Sequence, residues 1–214
     1  MTHKKVAQKK RATYRHGDLQ RTLVAAGLEL ARKGGPSAVV LREVTRRAGV
    51  SPNAAYRHFA DKRALLHAVS MAAQSELARS IEAEQAGIGS MADDGETARA
   101  RLRAVGAGYL RFAQKQPGLF RTAFAEHVDL RDAATTNSAG ESGLTPFQLL
   151  TTALDGLVDA GVLPAERRVG AELLAWSSVH GLAMLLIDGP LQGLDREQRS
   201  YASERLLEMV EKGL

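Results

Sequence analysis

The chain has 214 residues, 44% of them hydrophobic, no cysteine, and a formal charge of +5. That length suffices to bury roughly 70% of the unfolded surface in one or two domains, and the lack of cysteine excludes disulfides, zinc fingers and thiol catalysis and points to a reducing compartment. The charge is divided unevenly: residues 1–70 carry 15 Lys and Arg against 4 Asp and Glu, net +11, and the remainder 14 against 20, net −6, as expected of a polyanion-binding head on a body with another task.

Residues 1–16 are too polar to fold alone and hold Lys4, Lys5, Lys9, Lys10, Arg11 and Arg15. They are expected to form a disordered basic arm, lying along phosphates or in a minor groove, or serving only as a solubilising tail. No apolar run approaches the roughly 20 residues that span a bilayer, and the start lacks the apolar centre of a signal peptide. A soluble, cytoplasmic protein with no membrane partner is therefore expected. Asp18 is placed to cap a first helix carrying Leu19, Leu23, Ala26 and Leu30, which ends at Lys33-Gly34-Gly35-Pro36.

Residues 41–59, LREVTRRAGVSPNAAYRHF, have the pattern of two helices in a tight corner. Leu41, Val44 and Ala48 share a face, Gly49 offers the left-handed helix end, and Val50 fills the bend. Ser51 and Pro52 suit the N-cap and first turn of a second helix whose inward positions are Ala55 and Phe59. This is a helix-turn-helix, whose second member can enter the major groove of double-stranded DNA. The start of the pair is less well marked: Val40 has no side-chain acceptor, and Ser37 is the other candidate cap. Ser51, Asn53, Ala54, Arg57 and His58 then lie outward or flanking, with Tyr56 at the edge. Asn53 suits adenine, Arg57 guanine or phosphate, and the Ala54 methyl a thymine methyl. Tyr56, His58, Lys62 and Arg42 suit phosphate, where a polar tip fixes register without reading sequence. Arg46 and Arg47 fit either backbone contacts or a solvated face.

Asp61 caps a longer helix with Leu65, Leu66, Val69, Leu77 and Ile81, a mechanical link from the basic head (17–62) to the acidic body (63–214). Residues 85–95 form a loop. The body then continues in helices with no strand signal: Leu102, Val105, Tyr109 and Phe112, then Pro117-Gly118, then Leu119, Phe120, Ala123 and Phe124. Residues 127–143 form a polar run expected to be a mobile surface loop. Thr145 and Pro146 restart the chain as cap and first turn, and Gly161 stops that helix. Residues 166–188 form the most apolar helix, apolar on more than one face, which calls for burial on both sides and hence for a second copy. Residues 196–212 form a last helix with Tyr201, Leu206, Met209 and Val210. The fold class is all-α.

The body's aromatic and large residues, Tyr109, Phe112, Phe120, Phe124, Trp176, His180 and Met184, are the candidates for an apolar effector cavity. Each equally suits an ordinary core. His180 has three open roles: pocket, dimer face beside the small Gly181, or satisfied core histidine. No cofactor and no metal are expected, because the six histidines form no ligand cluster, and no exposed nucleophile or glycine-rich phosphate loop supports catalysis.

The run Arg15-His16-Gly17-Asp18-Leu19, then Leu41-Arg42-Glu43-Val44, Ala48-Gly49-Val50-Ser51-Pro52 and Tyr56-Arg57-His58-Phe59-Ala60-Asp61-Lys62 closely resembles the head of the tetracycline-repressor (TetR) family of bacterial transcriptional regulators. Trp176 with His180-Gly181-Leu182-Ala183 is similar to the Trp-His-Gly signature of one C-terminal domain type in that family. The sequence departs from the family pattern at Val40, where Ser or Thr is common, and at Ala55, where a larger residue or proline is common. The resemblance implies an all-helical homodimer with three head helices, a linking fourth, and a body whose last two helices pair with a second copy. It implies a small-molecule effector that moves the fourth helix and releases a palindromic operator. A dimer that binds DNA without any effector is the alternative, and a small helical enzyme that kept a basic head is a more distant one.

Overall fold

In the computed structural model, residues 16–89, 91–125 and 138–214 are described. Of the expected basic arm, residues 1–16, all but His16 lie outside them, as does most of the 127–143 run. Among the described residues there are nine α-helices and no strand: α1 (His16–Gly34), α2 (Leu41–Ala48), α3 (Pro52–Tyr56), α4 (Lys62–Gln85), α5 (Asp94–Lys115), α6 (Pro117–Ala123), α7 (Pro146–Asp159), α8 (Ala171–Ile187) and α9 (Arg196–Gly213).

The head folds as its local signals direct. Helix α1 begins at His16, so Asp18 lies inside its first turn instead of capping it. Helix α2 starts on Val40 with no side-chain cap, while the Ser37 hydroxyl donates to the Gly34 carbonyl in a short 3-10 turn over residues 36–38. Gly49 takes the left-handed conformation at φ 70°, and the Val50 amide returns to the Thr45 carbonyl at 3.0 Å. Ser51 Oγ accepts from the Ala54 amide at 3.3 Å and opens α3. Ala55 and Phe59 are buried against Leu23, Val44 and Leu65 in one continuous core.

Asp61 Oδ1 accepts the Ala64 amide at 2.8 Å and starts α4, whose 24 residues extend about 36 Å. It packs on α1 in the head and on α5, α6 and α7 in the body. Two glycines bring backbones into contact. A Cβ at Gly108 of α5 would lie 2.6 Å from Ile81 Cα in α4, and one at Gly118 of α6 would lie 2.3 Å from the Ala31 carbonyl oxygen in α1. Helices pack this closely only where a side chain is missing.

Thr145 and Gln148 form a reciprocal capping box at the start of α7. Residues 140–142, expected in a mobile loop, are instead tied to α4. Glu82 accepts from the Glu141 and Ser142 amides, each at 2.9 Å, and from the Ser142 hydroxyl at 2.6 Å. The apolar helix begins at Ala171, later than the sequence pattern suggests, because residues 165–167 form a separate 3-10 turn. In α9, Tyr201 and Met209 face outward instead of joining the core. Among the described residues no helix is long and apolar enough to cross a membrane, and no group of three His, Cys, Asp or Glu is placed to hold a metal.

Candidate functional site

Two places combine exposed or convergent chemistry. The first is the surface of the head. Ser51, Asn53, Arg57, Arg42 and Lys62 are exposed, as is Tyr56 at 54%, while Ala54 and His58 are half-buried. Because α3 has only 5 residues, its inward Ala55 and the following Phe59 fix which sides of the turn remain outward. Arg46 departs from this free surface. It makes a bidentate pair with Glu43, at 2.9 Å through Nε, and that hydrogen bond holds the Glu43 carboxyl below its usual range. Its charge is thus partly neutralised on its own helix, whereas Arg42 and Arg47 are exposed and bridge to no carboxylate among the described residues.

The second place is a cavity of about 190 Å³ in the body. Helix α5 contributes Leu102, Arg103, Val105, Gly106 and Tyr109; the end of α6 contributes Ala123 and the adjoining Phe124. Pro146, Phe147 and Leu150 of α7 form one wall, and Ala175, Trp176 and Val179 of α8 another. Gln74 of α4 and Leu207 and Val210 of α9 complete it.

Of the sequence candidates, Tyr109, Phe124 and Trp176 border this cavity. Phe120 and His180 stand in the layer beside it, with ring centroids 5.5 Å apart and each about 5 Å from Phe124. Phe112 is buried in the core of α5 without reaching the cavity. Met184 is corrected from the pocket to the outer surface: it is 37% exposed, because the helical period carries it round from the side that Trp176 and Val179 present inward.

The polar centre of the aromatic layer is Tyr109. Its hydroxyl accepts from Trp176 Nε1 at 3.1 Å and lies 2.8 Å from His180 Nδ1. Burial pushes the Tyr109 hydroxyl well above the ordinary phenol range and lowers His180 from its usual value. Both groups are thereby kept neutral near pH 7.

Most of the lining was not singled out from sequence, and three of those residues show why. Phe147 packs on Trp176 with centroids 5.9 Å apart; in the first turn of α7 it precedes Leu150 by three and Leu154 by seven, and that shared face was its signal. Gln74 is a buried polar residue in α4, donating to the Ala123 carbonyl at 2.9 Å beside Ser70, which donates to the same oxygen at 3.1 Å. The spacing of Ser70 and Gln74 by four was the available signal. Arg103 is held by Glu211 of α9 at 3.1 Å, a pairing across 108 positions that sequence spacing does not reveal.

Residues 102–210 match the family described as Tetracyclin repressor-like, C-terminal domain, and residues 23–69 match that described as Bacterial regulatory proteins, tetR family. Among curated proteins none matches. Solved structures do. A protein with unknown function from Rhodococcus sp. RHA1 is 28% identical, with 92% of this chain and 97% of that one covered and a TM-score of 0.67. A TetR variant from Acinetobacter baumannii AYE in complex with minocycline is 20% identical, covering 90% and 94%, with a TM-score of 0.57. The regulator FadR from Bacillus subtilis in complex with stearoyl-CoA is 14% identical, covering 91% and 98%, with a TM-score of 0.56. The last two are similar in fold alone.

Proposed function

We propose that this chain, which belongs to the TetR family of bacterial transcriptional regulators, is a ligand-responsive repressor that holds a partly palindromic operator as a homodimer and releases it when a small, mostly apolar effector fills the cavity. Regulators of this family are DNA-binding transcription factors, not enzymes. What carries the ligand-responsive reading is a single continuity: α4 bears the head at one end and, through Gln74, borders the cavity in its middle.

The DNA contacts proposed are Asn53, Ala54 and Arg57 to bases, and Arg42, Ser51, Tyr56, His58 and Lys62 to the backbone. For the dimer, the outer side of α8 presents Leu173, Leu174 and Leu185 and that of α9 presents Tyr201 and Met209. Scattered exposed apolar residues need no explanation, but large ones gathered on the outer sides of two adjacent helices are the mark of an interaction surface. At Gly181, on the same outer side, a Cβ would meet nothing within 4 Å, which leaves room for the close approach of a second helix. Two recognition helices about 34–36 Å apart meet successive major grooves, so an effector that alters their spacing abolishes binding without touching the contacts. A hundredfold release requires the effector to prefer the released spacing by about 3 kcal/mol.

Selection of bound sites from random DNA by the purified full-length chain tests this. Enriched sites should contain two inverted half-sites one helical turn or a multiple apart. An asymmetric single site, or no enrichment, would overturn the dimeric-repressor reading.

A further inference from the structure

We infer that the cavity takes a neutral molecule of one or two rings carrying one hydrogen-bond donor, received by the Gln74 carbonyl oxygen. This rests on the ligand-responsive reading above and gives its effector a chemical class.

Size sets the first limit. A dry cavity of about 150 Å³ holds a benzene ring with little to spare, so the 190 Å³ here admits a substituted ring or a small bicycle. A long acyl chain does not fit. Shape sets the second limit. Phe124 and Phe147 flank Trp176 with centroids 6.3 and 5.9 Å away and tilted planes, and Tyr109 stands 6.1 Å from Phe124. Rings that meet at an angle offer both edges and faces to a planar guest.

Charge narrows the class further. Among the described residues Arg103 is the one ionised side chain of the lining, and Glu211 already meets it, with Arg99 adding a second contact to that carboxylate at 3.7 Å. A carboxylate entering here competes with Glu211, and a cation finds no acid in the lining; either is buried with its charge unbalanced. Polarity fixes the orientation. The Tyr109 hydroxyl is already bonded to Trp176 and His180. Gln74 is 8% exposed and gives its Nε2 to the Ala123 carbonyl. Its Oε1 accepts from no described residue and is not sealed from the cavity, so among the described residues the wall retains one acceptor open to a guest. A donor placed there engages the amide that ties α4 to α6, which gives the ligand a grip on the helix that carries the head.

The test uses the full-length chain and four probes: thymol, its isostere without the hydroxyl p-cymene, the anion 4-isopropylbenzoate, and palmitate. Calorimetry measures binding, the fluorescence of Trp176, the chain's sole tryptophan, locates it, and affinity for DNA selected from random sequence measures the response. Thymol should bind at least about fivefold tighter than p-cymene, the worth of one net hydrogen bond, and perturb Trp176. Gln74→Met should remove that preference while p-cymene still binds, which shows the cavity intact. Preferred binding of 4-isopropylbenzoate or palmitate, no binding by any probe, or a thymol preference that survives Gln74→Met would each overturn the inference. The ligand-responsive reading fails separately: thymol that saturates Trp176 yet leaves DNA affinity unchanged retains the chemical class and removes the response.

Discussion

The hydroxyl of Tyr109 has a single proton, and its neighbours decide where that proton goes. Trp176 Nε1 can only donate, so the Tyr109 oxygen accepts from it. The arrangement that uses every donor sends the Tyr109 proton to His180 Nδ1, leaving His180 neutral with its hydrogen on Nε2. A protonated His180 cannot accept it. Burial lowers His180 in the folded chain, whereas the unfolded chain takes up a proton near the ordinary value of about 6.5. The unfolded state therefore binds more protons on acidification, and stability is retained above that value and falls as the pH drops through it. Melting temperatures measured from pH about 8 to about 5.5 should be level at first and then decline below about 6.5. His180→Asn should decline less steeply, and parallel curves for the two proteins would remove His180 as the cause. On the head, Arg57 and Tyr56 are exposed, so replacing them should leave melting within about 0.5 kcal/mol of the parent. Arg57→Ala should weaken operator binding by about 1–3 kcal/mol if it reads a base, and Tyr56→Phe by about 1 kcal/mol. Fluorescence anisotropy with selected DNA checks both, and unchanged affinity in either variant would sink that contact assignment.

Helix α6 has 7 residues and touches almost every part that has to move together. Gly118 sets it directly on the backbone at the end of α1. The Ala123 carbonyl takes both the Ser70 and Gln74 donors of α4. Arg121 grips Asp188 at the end of α8 through Nε and Nη2, between 2.6 and 2.9 Å, which holds the Asp188 carboxyl below its usual range. Ala123 and Phe124 border the cavity. The helix is therefore a wedge between head, link and cavity. Gly118→Ala inserts a methyl against carbonyl oxygens that cannot turn aside, and overpacking of this kind costs about 1–3 kcal/mol. Urea unfolding should register that loss, and DNA affinity should change because α1 is displaced; a variant matching the parent in both would show that α6 and α1 are not rigidly seated. These ties also mark the boundary of what was legible from sequence. The turn at Gly49, the caps at Ser51, Asp61 and Thr145, and the inward Ala55 and Phe59 were readable because each is a contract between residues a few positions apart. Gln74 with Ala123, Glu82 with the 140–142 turn, and Arg103 with Glu211 join residues 49 to 108 positions apart, and only the crossing of helices decides such pairs. Met184 was misjudged for the same reason: its apolar character was plain, but which side of α8 faced the cavity was not.

For the whole molecule, the decisive feature is that α8 is apolar on two opposite sides. Ala175, Val179 and Leu186 are buried within the chain, while Leu174, at 62% exposure, and Leu185 face away from it. A glutamate at an outward position touches none of the inner residues, so Leu174→Glu with Leu185→Glu should preserve the fold while two facing copies would bury four like charges, an arrangement that association cannot sustain. Sedimentation should then change from dimer to monomer with melting little altered. The consequence for DNA follows from counting phosphates. If a dimer neutralises about six, the logarithm of its affinity falls against the logarithm of salt with a slope of about −5, and a monomer on one half-site with about half of that. The double variant should therefore show both weaker binding and a shallower salt dependence, whereas Arg57→Ala in an intact dimer flattens the slope only by the contacts it removes. If the double variant remains dimeric, the outer side of α8 is not the interface. If it becomes monomeric yet keeps the parent's slope and affinity, the paired spacing of recognition helices does not govern binding, and an effector could not act by changing it.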